Sequence, residues 1–337
     1  MSAPSYRQVV LKLRPVGIPQ AEHFEVIEAT LADLEPGQFL VKNEFLSVDP
    51  AMRGWVNAVA NYSQPVGIGE VMRAFSAGTV VQSRNAEFPE GSKVMGLLGW
   101  QEYAISDGKN IRRKVKETDL PLSLSLGVLG LNGITAYFGL TAVGEPRPGE
   151  TVVVSTAAGA VGSVVGQLAK SLGCRAVGIA GGETKRRLCL DEFGFDAAID
   201  YRAPDLEGAL REACPGGVDV YFDNTSGEIS DTVIRQINRF ARIVICGTAS
   251  IANWDPWPQG PRVDRHLLTK SARMAGFLAS NYDDRVEEAI DTLAPMVRDG
   301  TLRYREEILD GIEAAPGSIA DLYEGKNLGK RLIRLTA

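Results

Sequence analysis

Thr151-Val-Val-Val-Ser-Thr-Ala-Ala-Gly-Ala-Val-Gly162 decides the fold. A threonine followed by three valines is apolar and β-branched, the composition of a strand covered on both faces. The run then breaks into small residues and enters a helix-length segment at 161–172. Strand, tight turn and helix start give a G-x-G-x-x-G turn with Ala157 in the first glycine place. Gly159 lets the backbone approach a pyrophosphate, and Gly162 lets the helix pack closely on the strand. Phosphates would then sit at the helix N-terminus, where free N–H groups and the helix dipole favour anions. Gly159, Ala160, Val161 and Gly162 are therefore candidate dinucleotide ligands. On the turn alone, a glycine-rich loop of another α/β fold is the competing reading.

The context around the turn favours the dinucleotide. Strand-like runs at 175–180, 197–200, 218–223 and 242–246 alternate with helical segments at 185–193, 206–213 and 229–240. Strands alternating with helices mean βαβ units and a parallel sheet. A further amphipathic helix is expected at 284–298. Residues 1 to about 125 have another rhythm. Short runs at 8–13, 39–45, 77–83, 93–98 and 100–104 are separated by Gly, Pro, Asn and Asp, which suggests a small barrel or sandwich. The tail, 301–337, returns to that texture and is expected to rejoin the first domain.

The second parallel strand discriminates between cofactors. An NAD site wants Asp or Glu just past its end, for the ribose hydroxyls. Here 175–180 is followed by Gly181-Gly182, then Glu183-Thr184-Lys185-Arg186-Arg187. A glycine pair followed by three cations suits a 2′-phosphate, hence NADPH, with Lys185 the first choice of ligand. Glu183 fits the first turn of the next helix. Tyr201, just past the third strand, could add a hydroxyl contact. A solvated helix face is the alternative for 185–187.

Composition narrows the rest. The chain has 337 residues, 45% of them hydrophobic, enough for two domains with real cores. Net charge is −6 without a basic block, which argues against nucleic acid. Cys174, Cys189, Cys214 and Cys246 lie far apart and read as reduced thiols of a cytosolic protein. The N-terminus carries no signal-peptide pattern. Uncharged stretches at 120–144 and 151–169 are long enough to span a bilayer. Pro121, Asn132 and their glycines and serines make them buried segments of an α/β domain instead. With only His23 and His266 and no clustered Cys, no catalytic or structural zinc site is expected. Hydride transfer without a metal is easiest onto a conjugated acceptor. Reduction of an activated C=C fits, with hydrogen bonds supplied to the enolate oxygen.

Several motifs together resemble a known family. They are Ser47-Val-Asp-Pro-Ala-Met-Arg53, Gly69-Glu-Val-Met-Arg73, Gly99-Trp-Gln-Glu-Tyr103, Gly133-Ile-Thr-Ala-Tyr-Phe-Gly139, Ala157-Ala-Gly-Ala-Val-Gly-Ser163, Tyr221-Phe-Asp-Asn224, Cys246-Gly247 and Lys326-Asn-Leu-Gly-Lys330. The chain resembles the zinc-independent medium-chain dehydrogenases/reductases, in the leukotriene B4 dehydrogenase, prostaglandin reductase and curcumin reductase branch. That resemblance implies an α/β fold: a Rossmann doubly wound parallel sheet at 126–299 and a discontinuous GroES-like β-barrel domain at 1–125 and 300–337. It implies NADPH-dependent reduction of α,β-unsaturated aldehydes and ketones, by a homodimer. By position it assigns Gly159 to Gly162 to the pyrophosphate and Lys185 and Tyr201 to the 2′-phosphate. Asn224, Cys246, Gly247 and Asn327 are placed along the rest of the cofactor.

One departure matters. Relatives carry Tyr-Asn shortly after Cys-Gly, and that Tyr is often proposed as the proton donor; here the position is Ala252. Plant relatives also have Tyr where this chain has Ala51. Tyr62 is the remaining candidate to hydrogen-bond the substrate carbonyl, the alternative being a wall residue with water as the proton source. Trp254 and Trp257 in a Pro-rich loop suit a large apolar substrate or a partner subunit. Quinone reduction and NADPH binding without turnover stay open as alternatives.

Overall fold

Val152, Val153 and Val154 are fully buried in the strand Thr151–Ser155, which has a parallel neighbour on each side. A strand in the middle of a parallel sheet has no solvent face, so an unbroken apolar run is what it requires. The computed structural model describes residues 5–59, 63–251 and 256–335. It divides into two units, Met1–Gly130 with Glu306–Ala337, and Leu131–Arg305.

These boundaries differ from the 125/126 and 299/300 expected from the sequence. A 3-10 turn at Leu122–Leu126 packs against strands of the first unit and carries the first boundary past it. At the other end, Gln167 of the second unit accepts the N–H of Arg303 at 2.7 Å and donates to its carbonyl at 2.8 Å.

In chain order the first unit contributes β1 (Ser5–Leu11), β2 (Phe24–Thr30), β3 (Phe39–Ser47), α1 (Met52–Trp55), β4 (Phe75–Ser83), β5 (Lys93–Leu97), β6 (Tyr103–Ser106) and β7 (Ile111–Lys114). The second unit follows with α2 (Leu131–Phe138), β8 (Thr151–Ser155), α3 (Gly162–Ser171), β9 (Arg175–Ala180), α4 (Glu183–Arg187), β10 (Ala197–Asp200) and α5 (Leu206–Ala213). It continues with β11 (Val218–Asp223), α6 (Gly227–Ile234), β12 (Ile237–Ile245), α7 (Asp264–Lys270), β13 (Arg273–Gly276) and α8 (Val286–Arg298). The chain ends in the first unit with β14 (Glu306–Asp310), α9 (Ala315–Tyr323) and β15 (Lys330–Arg334).

In the first unit the strands run β14-β15-β3-β4-β5-β7, with β6 also paired to β3 and β1 paired to β2 in a separate ribbon. Phe39, Val41, Val80, Phe88, Val94 and Leu98 fill its interior. Each such side chain contributes about 1.5–3 kcal/mol on burial. The C-terminal strand is held by charge as well as by register. Lys330 Nζ donates to Asp49 Oδ1 at 2.6 Å, to Ser47 Oγ at 2.7 Å and to the Val48 carbonyl at 3.1 Å. Ser47 Oγ donates to the other Asp49 oxygen. Both ends of this pair are buried. Asp49 and Lys330 belong to two of the motifs singled out above, so those motifs are the two halves of one structural clamp.

In the second unit six parallel strands run β10-β9-β8-β11-β12-β13. The helix expected at 229–240 ends at Ile234, and β12 begins at Ile237. Local apolar periodicity suggested helix, but Ile237 pairs with Val218 and lies in the core with Ala241. The strand then bulges, with Phe240 at φ +65° and exposed. The segment 185–193 is likewise not one α-helix; after α4 it widens into a π turn, Leu188–Glu192, that buries Leu188 and Cys189. The two uncharged stretches become short helices and turns in one case, and β8 with α3 in the other. No helix among the described residues is long and apolar enough to cross a membrane.

Candidate functional site

The strand order places the candidate residues. From β8 the chain steps outward to β9 and β10, then crosses back to β11 and continues the other way to β13. The order reverses between β8 and β11, and ligands of such sheets bind outside the carboxyl ends of the strands at that point. Gly159 to Gly162 follow β8, Asn224 follows β11, and Cys246 and Gly247 follow β12.

The turn after β8 is shaped by close backbone approach. Thr156 adopts φ +54°, rare for a β-branched residue, and its carbonyl accepts the Gly159 N–H at 2.9 Å. A Cβ on Gly162 would fall 2.3 Å from that same carbonyl oxygen and 2.9 Å from Ala157 Cα. Only glycine lets α3 start there. Ala157 fits the first glycine place because β9 makes room for it: a Cβ on Gly178 would lie 2.7 Å from the Ala157 methyl. Among the described residues, the N–H groups of Ala160, Val161 and Gly162 donate to no protein acceptor. A dinucleotide pyrophosphate fits such a cradle, with N–H groups open and no side chain in the way.

Past β11 lies a buried polar knot that the sequence reading did not assign. Asp223 is fully buried. Its Oδ1 accepts from the Tyr221 hydroxyl at 3.0 Å, from the N–H groups of Thr225 at 2.9 Å and Ser226 at 2.8 Å, and from Thr225 Oγ1 at 3.2 Å. Oδ2 has no partner. The Asp223 carbonyl accepts the N–H groups of Cys246 at 2.8 Å and Gly247 at 3.1 Å. Asn224 is held from the other side: its N–H donates to Ser155 Oγ at 2.8 Å and its side-chain amide to the Ser155 carbonyl at 2.7 Å. Asp223, Ser155 and Tyr221 thus lock the ends of β8, β11 and β12 together and orient Asn224 and Gly247. A carboxylate closing the apolar run Val220-Tyr-Phe-Asp223 was the signal in the sequence, since buried strands exclude unpaired charge. Burial, and then Asp223, hold the Tyr221 hydroxyl well above the usual tyrosine range.

Burial, with Asp223 adding to it, pushes the Cys246 thiol up to about 12. It is therefore a neutral thiol near pH 7 and contributes backbone, not nucleophilicity.

On the other flank, the Gly181-Gly182 turn follows β9, with Gly182 at φ +83° and its N–H donated to Asp200 Oδ1 at 2.9 Å. Lys185 sits half-buried on α4. Arg186 and Arg187, counted with it as phosphate-seeking cations, both turn back on Glu183, at 2.7 and 2.8 Å. They are a helix-face ion-pair set. The Tyr201 hydroxyl makes no hydrogen bond among the described residues. Asn327 belongs to the first unit, where its amide donates to the Gly329 carbonyl at 2.8 Å. Tyr62, Ala252 and Trp254 lie outside the described residues; Trp257 is described and largely exposed. No group of three or more His, Cys, Asp or Glu that could hold a metal ion occurs among the described residues.

A glycine turn at the switch point of a parallel sheet of this strand order defines a Rossmann-type fold, the class that binds dinucleotides. Residues 7–114 match the family described as the N-terminal domain of oxidoreductase, and residues 160–295 the one described as zinc-binding dehydrogenase. The chain is 42% identical over 338 residues to the NADPH-dependent curcumin reductase of Escherichia coli, covering 98% of this chain and 96% of that one. It is 36% identical to the NADP-dependent 2-alkenal reductase of Nicotiana tabacum, covering 98% of each. Among solved structures, CurA from Vibrio vulnificus in complex with NADPH superposes with a TM-score of 0.92 at 40% identity, covering 98% of this chain and 99% of that one. The chain belongs to the zinc-independent branch of the medium-chain dehydrogenase/reductase family.

Proposed function

We propose that this protein is an NADPH-dependent reductase of the C=C bond of α,β-unsaturated ketones and aldehydes. The observation that carries this reading is full-length likeness to two NADP-dependent reductases, one of them of 2-alkenals; open backbone N–H groups in the turn after β8, among the described residues, support it. When bound, NADPH supplies hydride to the β-carbon, and negative charge then collects on the substrate's carbonyl oxygen. The open N–H groups of Ala160, Val161 and Gly162, with Gly159 giving access, hold the pyrophosphate. Lys185 and Tyr201 hold the 2′-phosphate side. Asn224, fixed by Ser155, and the backbone of Cys246 and Gly247, fixed by Asp223, border the cofactor at the ends of β11 and β12. Two members of the set rest on the family resemblance: Asn327 for the cofactor, and Tyr62 as hydrogen-bond donor to the substrate oxygen.

A panel of a short 2-alkenal, a simple enone and a quinone, compared by kcat/KM for NADPH oxidation, tests this. The alkenal and enone should lead. A quinone preference would replace the C=C assignment, and tight NADPH binding with no turnover would make the protein a binder only. If Tyr62→Phe leaves enone turnover unchanged, the donor is water.

The same proposal includes a homodimer. The outer edge of β13 carries no further strand among the described residues. Leu268 on the preceding helix is 80% exposed. An open strand edge beside an exposed leucine is covered when a second copy pairs with it. Sedimentation equilibrium at micromolar concentration should give twice the mass of the chain; a monomer there removes the dimer from the reading.

A further inference from the structure

Past β10 the chain reads Asp200-Tyr-Arg-Ala-Pro-Asp205, and the resemblance uses only its tyrosine. The structure brings the next residue into play. Strands β9 and β10 are parallel neighbours with Ala180 opposite Asp200, so the turns that follow them lie side by side. One carboxylate oxygen ties them together: Asp200 Oδ1 accepts the N–H of Gly182 at 2.9 Å and of Arg202 at 3.0 Å. Arg202 is thereby held over the glycine pair. A Cβ on Gly181 would lie 2.8 Å from Tyr201 Cε1 and 3.2 Å from Arg202 Nε, and one on Gly182 would lie 3.8 Å from Arg202 Nη1. The guanidinium carbon sits 5.7 Å from the centroid of the Tyr201 ring. Arg202 is exposed and pairs with no carboxylate among the described residues, whereas Arg186 and Arg187 share Glu183.

We propose that Arg202 is a specificity-determining residue for the 2′-phosphate of the cofactor, acting beside Lys185 and Tyr201. This rests on the NADPH reading above. Each feature fits an incoming phosphomonoester. The guanidinium is a planar fork that matches two phosphate oxygens. The Tyr201 ring, within cation–π range at 5.7 Å, narrows the positions the guanidinium can take. Glycine at 181 lets the Tyr201 ring and the guanidinium settle directly on the turn, because a Cβ there would strike the ring at 2.8 Å. Asp200 accepts two N–H groups on one oxygen, which fixes the backbone of Arg202 beside the glycine pair.

Calorimetric titration with 2′,5′-ADP and with 5′-AMP separates the outcomes, because the two probes differ only in the 2′-phosphate. The parent protein should bind 2′,5′-ADP far more tightly than 5′-AMP. Arg202→Ala should weaken 2′,5′-ADP by about 10- to 100-fold, the range of one charge-assisted contact, and leave 5′-AMP unchanged. Arg202→Lys should recover only part of the loss. The ratio of KM for NADH to KM for NADPH should fall in the same proportion in Arg202→Ala. If the parent discriminates and Arg202→Ala discriminates equally, Arg202 has no such role and the NADPH reading survives. If Arg187→Ala produces the loss instead, the second cation lies on α4. A parent that does not discriminate between the probes overturns both the inference and the NADPH reading.

Discussion

Gly162→Ala should weaken NADPH binding by a factor on the order of 10²–10⁴. The added methyl would meet three backbone atoms: the Thr156 carbonyl oxygen at 2.3 Å, the Thr156 carbonyl carbon at 2.9 Å and Ala157 Cα at 2.9 Å. None is the end of a side chain that could swing aside, so the turn itself must move. The N–H groups of Ala160 and Val161 move with it, and each bond from such a group to a phosphate oxygen is worth about 1.5–3 kcal/mol. Overpacking adds a stability loss of about 1–3 kcal/mol. Gly159→Ala is the internal comparison. There the nearest atoms are 3.0 and 3.1 Å away and one is the Thr156 methyl, so its effect should be smaller. Fluorescence titration with NADPH, read beside thermal unfolding, checks the pair. Parent-like affinity in Gly162→Ala would mean that the turn does not carry the pyrophosphate.

The second large effect concerns stability. Lys330→Met should destabilise the first unit by about 3–5 kcal/mol, because it leaves the Asp49 carboxylate buried without its counter-charge. The ammonium and the carboxylate are only 5% and 7% exposed, so water cannot stand in for the missing partner. Combining Lys330→Met with Asp49→Asn removes the orphaned charge and should restore most of the loss, since a buried ion pair as a whole adds little net stability. Urea unfolding of parent, both single variants and the double variant gives the coupling directly. If the double variant is as unstable as the sum of the singles, the clamp is not an interacting pair.

The turn after β8 was legible because its chemistry is local. A strand, a run of small residues and a helix start are neighbours in the chain, and glycine at 162 is demanded by atoms only five and six residues away. The same holds for the parallel sheet, whose strands announce themselves as unbroken apolar runs. The helix expected at 229–240 failed for the opposite reason. Its periodicity was plausible in isolation, but pairing of Ile237 with Val218 pulled the second half into the sheet. The three cations at 185–187 could not be sorted by composition. Glu183 claims two of them through the three- and four-residue spacing of one helix turn.

By itself, then, the sequence determined the class of fold and the position of the glycine turn after β8, because both depend on short-range pattern and backbone sterics. The tertiary structure alone decided which charges are available and which are spent. Asp49 and Lys330 meet across 281 positions, Ser155 reaches Asn224 across 69, and Arg202 comes to rest over Gly181 because two strands lie side by side. Whether a charge is free to meet a ligand is set by its nearest neighbours in space, and for these residues those neighbours lie far away in the chain or on an adjacent strand.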